Sequence, residues 1–321
     1  MYSIHKIFHP ELFQGSLSKK NYFEGWYFKH VGINHRDAFA VIPGISLSTD
    51  SHAFIQFADG ISGSSFYYRY DLNEFQAEKN RFLIRIGDSV FSAGGIDLKL
   101  KGEGNDISAK IKYSGHAFLP STIFRPGIMS WYSYVPGMEC NHGVISMNHK
   151  LQGTIEINGD HRTFNEGRGY IEKDWGTSFP ESWFWLQSNS FDEGEISLMI
   201  SVAKIPWKGS YFMGFISFLY LKGNTEIFAT YNGSKIDSLK RLNDNKRELV
   251  ISRGRKRLSA LVTVKESSAL RAPVNGTMIN HIKESLFSEV LIEYYDGSRL
   301  IFKGRGLRAG FEETEAIYKY F

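Results

Sequence analysis

Two carboxylates, Glu172 and Asp174, stand two residues apart, just after Tyr170 and just before Trp175. In an extended chain alternate side chains share a face, so Tyr170, Glu172 and Asp174 point one way and Lys173 the other. Two carboxylates on one face repel, which favours a proton on one of them. A carboxylic acid held protonated by desolvation can deliver that proton to an alkene. Facing aromatic rings then stabilise the cation, each by on the order of 0.5–2 kcal/mol. Cofactor-free cyclisation of an isoprenoid needs this inventory, plus a base for the departing proton. Asp174 and Glu172 are the leading candidates for the acid, Glu24 and Glu139 the competing ones, and His142 the candidate base.

The stretch continues past the turn at 176–180 into a second strand with Trp183, Trp185, Gln187, Asn189 and Phe191 on one face. Phe184, Leu186, Ser188 and Ser190 fill the other. Neither face carries a charge, which predicts burial on both sides. Buried amides need partners. Gln187 and Asn189 therefore either bond neighbouring backbone in a core strand or line a cavity, and the coincidence of aromatic surface with fixed polar groups favours the cavity. Trp26, on a strand over 22–30 with Tyr22, Glu24 and Phe28, joins this candidate lining. So do His52 and Gln56, which share a face over 52–57. With Tyr170, Trp175, Trp183, Trp185, Gln187 and Asn189 they form the expected binding surface for a small apolar, isoprenoid-type ligand.

Other chemistries lack their residues. Gly60-Ile61-Ser62-Gly63-Ser64 fails as a nucleophile elbow at its last position. There is no phosphate-cradling loop, and Gly304-Arg305-Gly306 lacks the helix a dinucleotide site requires. Glu139, Cys140, His142 and His149 are each of a metal-binding type, but their spacing matches no common zinc site, and the two histidines have opposite parity on a regular strand. No metal and no cofactor are expected.

The elements that must position these residues are short strands. Aromatics make up 15% of the 321 residues, and 31 glycines stand against 8 prolines, which suits a β-rich protein with tight turns. Alternating segments recur from 22 to 113, from 142 to 157 and from 195 to 304, separated by Gly, Asn and Asp. Asn158-Gly159 and Asp296-Gly297 are hairpin turns. The segment 120–136 has no period and reads as a connection packed over something apolar; 279–287 is the best short helix. The expected architecture is all-β, two antiparallel barrels over 1–160 and 161–321 with a few short helices. A net charge of +4 does not argue for nucleic acid, and no recognition element is present. The densest basic region, 235–257, reads as a solvated hairpin tip or as a peripheral membrane contact. One cysteine fits a reducing, cytoplasmic compartment; neither a signal peptide nor a spanning helix is read, and oligomeric state is open.

The segments Gly169-Tyr170-Ile171-Glu172-Lys173-Asp174-Trp175-Gly176, Phe179-Pro180 and Trp183-Phe184-Trp185-Leu186-Gln187-Ser188-Asn189 resemble the signature of the tocopherol cyclase family and its bacterial relatives. The segments 22–29, 138–147 and 270–278 resemble the same family. The resemblance implies two lipocalin-like domains and ring closure of a prenylated quinol to a chromanol, without metal or redox change. A non-catalytic isoprenoid carrier and a carotenoid-type alkene hydratase are the alternatives it leaves.

Overall fold

The computed structural model describes residues 4–321. The chain is almost wholly antiparallel β and divides into two compact units. The first comprises the chain through Phe179 with Ala269–Ile282; the second comprises Pro180–Ser268 and Lys283–Phe321.

In the first unit the strands are β1 (Tyr22–Val31), β2 (Ala38–Leu47), β3 (His52–Asp59), β4 (Ser65–Tyr70), β5 (Phe75–Ala77), β6 (Leu83–Ile86), β7 (Ser89–Ser92), β8 (Gly95–Gly102), β9 (Asn105–Ala117), β10 (Cys140–Ile157), β11 (Asp160–Thr163) and β12 (Arg168–Gly176). They run β4-β3-β2-β1-β12-β10-β9-β8-β7-β6-β5, with β11 against β10. β3 comes back against β6, so the sheet curls into a barrel. Its core is the inward parity of each strand, among them Trp26, Phe28, Phe57, Phe91, Ile171 and Trp175.

The second unit contains β13 (Trp183–Ser188), β14 (Ile196–Trp207), β15 (Ser210–Leu221), β16 (Asn224–Ala229), β17 (Lys235–Arg241), β18 (Lys246–Arg253), β19 (Lys256–Thr263) and β22 (Arg299–Glu313). β20 (Ser268–Val274) and β21 (Thr277–Asp296) are divided between the units. The order is β16-β15-β14-β13-β22-β21-β19-β18-β17, and β16 returns to β18, making a second lipocalin-like barrel. Phe184, Leu186, Ile200, Leu249, Val290 and Phe311 are part of its core.

Three expectations need correction, on the domain boundary, the helix at 279–287 and the face of Phe191. The division falls after Phe179 rather than near 160, because β12 is inserted between β1 and β10 and so belongs to the first barrel. β12 and β13 are consecutive but do not pair; β13 lies between β14 and β22. The helix expected at 279–287 is part of β21. Its apolar residues Met278, Ile282 and Leu286 are four apart, a spacing that satisfies a two-residue period as well as a helical turn. Phe191 leaves the face of Trp183 and Trp185 for the second core, because β13 ends at Ser188 and the chain turns.

Elsewhere the turns fall as expected. Asn158 and Gly159 both have positive φ, 52° and 86°, at the hairpin between β10 and β11. The connection between β9 and β10 has a single 3-10 turn, Ser130–Tyr134, and buries Ile128. Gly254 and Arg255 form a hairpin tip, where Arg253 and Lys256 pair with Glu226 and Arg255 pairs with Asp296. Among the described residues no helix is long and apolar enough to cross a membrane.

Candidate functional site

β12 positions the site by simple alternation. Ile171, Lys173 and Trp175 face the barrel core; Tyr170, Glu172 and Asp174 face the other way. On the neighbouring strand β10, His142 lies opposite Asp174 and Val144 opposite Glu172, in a regular antiparallel register. His142 thereby falls between the two carboxylates. Its Nδ1 is 2.9 Å from Asp174 Oδ1 and its Nε2 is 3.3 Å from Glu172 Oε2. Only the first contact is a hydrogen bond; Nε2 has ion-pair distance without hydrogen-bond geometry. Tyr170 Oη donates to Glu172 Oε2 at 2.6 Å. The result is a ladder, Tyr170–Glu172–His142–Asp174, whose outer end is the more open. The Asp174 side chain is 27% exposed and that of Glu172 only 5%.

Burial alone would drive the proton off His142, but the charges of Asp174 and then Glu172 outweigh it and raise its pKa to about 10. The imidazole is therefore protonated at neutral pH. Burial, with the adjoining Glu172 charge, pushes the Tyr170 phenol well above its usual range, so it remains a donor.

His142, Glu172 and Asp174 are also the residues that could hold a metal, each offering one ligand atom within 4.8 Å of the others. An ion there would have to displace the imidazole proton. Among the described residues His149 is not part of this group. His149 packs instead against Tyr113 and His116, ring centroids 4.4 and 4.8 Å away. Gly169 makes room for it, since a Cβ at that position would lie 2.1 Å from His149 Nε2.

The remaining candidate residues have other surroundings. Glu24 is on the core face of β1, fully buried, and forms an ion pair with Lys173 at 2.5 Å. It also accepts from the main-chain N–H groups of Gln14 and Gly15 at 2.7 and 2.9 Å. Trp26 is a core residue with no exposure, its indole N–H donating to Glu11 O. His52 bonds Asp50 O and Tyr67 Oη. Gln56 clamps the main chain of Arg271, donating to its O at 3.0 Å and accepting from its N–H at 2.7 Å, which ties the 270–278 motif to the first unit. Glu139 receives the N–H groups of Thr177 and Ser178 on its main-chain oxygen.

Trp175 belongs to the first core and lines a small recess with Pro10, Gln14, Ile128 and His142. In the second unit Trp183 and Trp185 are buried on the face of β13 away from its core, and Trp183 Nε1 donates to Glu312 Oε2 at 3.1 Å. β13 is buried on both faces, with Gln187 fully enclosed, and Asn189 is buried just beyond it. Sequence reasoning missed Gln14, which has no motif around it; its importance comes only from contacts made in three dimensions.

The histidines set a pH dependence of stability. His142 is raised to about 10, so its contribution is full below the unfolded value near 6.5 and is lost as pH rises through about 10. Burial lowers His30 to about 3 and His149 well below its usual range, the latter helped by His116 and His30. Their contribution is full above about 6.5 and is lost as pH falls toward 3. Chemical denaturation across pH should therefore show stability falling from about pH 6.5 both toward acid and toward about pH 8. Above that, Lys173, lowered to about 8 by burial, offsets the His142 loss. His142→Gln should flatten the alkaline limb only.

An all-β double barrel here carries a histidine set between two carboxylates, an arrangement suited to acid–base chemistry. Residues 118–234, which include the whole ladder, match the tocopherol cyclase-like family, and over that segment the chain is similar to it. The chloroplastic tocopherol cyclase of Zea mays is 26% identical over 184 residues, covering 53% of this chain and 37% of the maize protein. The probable tocopherol cyclase of Oryza sativa subsp. japonica is 24% identical over 178 residues, 52% of this chain and 36% of that one. The matched part is thus little more than a third of those relatives' length. Among solved structures, an AttH-type protein from Nitrosomonas europaea has a TM-score of 0.53 at 14% identity, covering 90% of this chain and 92% of its own. Kievitone hydratase from Nectria haematococca has a TM-score of 0.51 at 9% identity, covering 91% and 89%. These two share the fold.

Proposed function

We propose that this protein closes a ring on a prenylated quinol, adding the phenolic oxygen across the prenyl alkene by acid catalysis. The observation that carries this reading is His142 held between Glu172 and Asp174. In the resting ladder the mobile proton is on the imidazole. An apolar substrate seated over Asp174 removes water from it, and a neutral acid–imidazole pair costs less to desolvate than an ion pair. The proton passes to Asp174 and from there to the alkene carbon. The tertiary cation is captured by the phenolic oxygen, which forms the new C–O bond. The phenol proton leaves to His142, now neutral, and the imidazolium–carboxylate pair is restored. No atom is gained or lost, and no redox change is needed.

The likeness to tocopherol cyclases over the segment that contains the ladder supports this reading. The kievitone hydratase-like fold keeps a second outcome in view, capture of the cation by water. Incubation with a prenylated hydroquinone followed by mass spectrometry separates them. The expected product has unchanged mass and the ultraviolet spectrum of a chromanol. A product heavier by one water indicates hydration, and substrate recovered bound but unchanged indicates a carrier. Binding itself should alter the emission of the buried tryptophans; quinol shown to bind by another method with emission unchanged would place its site elsewhere.

A further inference from the structure

Phe124, 85% exposed, and Ile123, 71% exposed, are the two most exposed large apolar side chains among the described residues. They stand side by side at the tip of the connection between β9 and β10, in a turn closed by reciprocal main-chain hydrogen bonds of Thr122 and Arg125 at 2.8 and 2.9 Å. Behind the tip, exposed Trp131 and Tyr134 lie on the 3-10 turn. From 117 to 138 the chain carries one charge, Arg125, although 22% of the whole sequence is charged. That charge is turned back from the tip, Arg125 Nη2 donating to Pro120 O at 3.1 Å. An ordinary surface loop leaves main-chain oxygens to water. Here every one from Thr122 to Gly127 accepts a hydrogen bond from within the segment. Thr122 and Arg125 serve each other, and Ile123 O takes the Tyr134 hydroxyl at 2.8 Å. Phe124 O takes the Ser130 hydroxyl, Pro126 O the Ser121 hydroxyl and Gly127 O the Ser130 N–H.

We propose that this tip inserts into a lipid bilayer, Ile123 and Phe124 entering the acyl region and Trp131 and Tyr134 resting at headgroup depth. Backbone that enters hydrocarbon must satisfy its own polar groups, and these carbonyls are satisfied before contact. Trp and Tyr, apolar bodies with polar ends, suit the boundary layer. A protein partner fits less well, because a stable interface buries roughly 1,200–2,000 Å² and a two-residue tip presents only a small part of that. The base of the connection reaches the ladder strand, where Met129 Sδ accepts the His142 main-chain N–H at 3.1 Å. Docking would therefore bring the ladder to the layer in which a prenylated quinol dissolves. That use rests on the ring-closure reading given above, whereas the docking itself does not.

Flotation of the purified protein with phosphatidylcholine vesicles, without substrate, tests the docking. The protein should float with the vesicles at low and at high salt, since apolar insertion is not screened. The double variant Ile123→Ser/Phe124→Ser should partition at least about tenfold more weakly while its melting temperature holds, because both side chains are exposed. Lipids brominated on their acyl chains should quench Trp131, the most exposed of the six tryptophans, and Trp131→Phe should abolish that quenching. On a long-chain prenylated quinol embedded in vesicles the double variant should lose about tenfold in turnover, and on a short-chain quinol in solution it should match the wild type. Absence of flotation, or flotation undiminished in the double variant, would overturn the assignment. So would binding to phosphatidylglycerol vesicles alone that salt removes, which would give the contact to the basic hairpin tip at Arg255. A dimer in sedimentation that the double variant dissociates would give the tip to a second copy of the chain instead. Asp174→Asn should float as the wild type does, so a wild type that floats but turns over no quinol refutes ring closure and leaves the docking in place.

Discussion

Asp174→Asn is expected to lower turnover of a prenylated quinol by roughly 10²–10⁴-fold, the size of a general-acid contribution, while ligand affinity stays within a few fold. Asn keeps the shape and an oxygen to accept the His142 Nδ1–H, now 2.9 Å from Asp174, so the ladder should persist. What it loses is the ability to carry a proton and the negative charge that does most to hold the imidazolium. His142 should then titrate well below its value of about 10, which an NMR titration of the imidazole reads independently of activity. Glu172→Gln should do less, because Glu172 is enclosed and already receives the Tyr170 hydroxyl. His142→Ala should slow the final proton removal without emptying the site. Full turnover in Asp174→Asn would sink the assignment of the acid.

The alternation that makes Asp174 and Glu172 neighbours was readable from the sequence, because a two-residue period survives any choice of partner strand. The same parity put Lys173 on the opposite face. What could not be read was the identity of the strand beside β12. His142 meets Asp174 only because β10 pairs with β12 in one particular register, and nothing local to either segment specifies that pairing. The same limit explains the domain boundary. The segment 168–176 looks continuous with 183–188, yet long-range pairing assigns the two to different barrels. Glu24 was legible as unusual but not as structural. Its ion pair with Lys173 and its bonds to Gln14 and Gly15 join segments with no common pattern. Strands such as Phe75–Ala77 and Asp160–Thr163 are too short and too polar to show a period at all.

The Glu24–Lys173 pair should dominate stability rather than chemistry, and the second large effect is expected there. Both side chains are wholly shielded from solvent inside the first barrel. Burial lowers Lys173 to about 8 despite the opposing pull of Glu24, so the site disfavours the ammonium even when it is paired. Removing one partner from such a pair costs about 3–5 kcal/mol, whereas replacing both with neutral groups is often close to neutral. Glu24→Gln should therefore destabilise by that amount. It leaves Lys173 with the carbonyls of Pro10 and Leu12 and the faces of Trp26 and Trp175, 4.5 and 4.9 Å from the ammonium. Lys173→Met should cost less, because Glu24 keeps three donors, from Tyr22, Gln14 and Gly15. The double variant Glu24→Gln/Lys173→Met should recover most of the loss, a coupling measurable by a denaturation cycle. Because the pair also anchors the segment containing Pro10 and Gln14, turnover in Glu24→Gln should fall only in step with the unfolded fraction. A variant that remains folded by circular dichroism yet loses turnover as completely as Asp174→Asn would make Glu24 the acid instead.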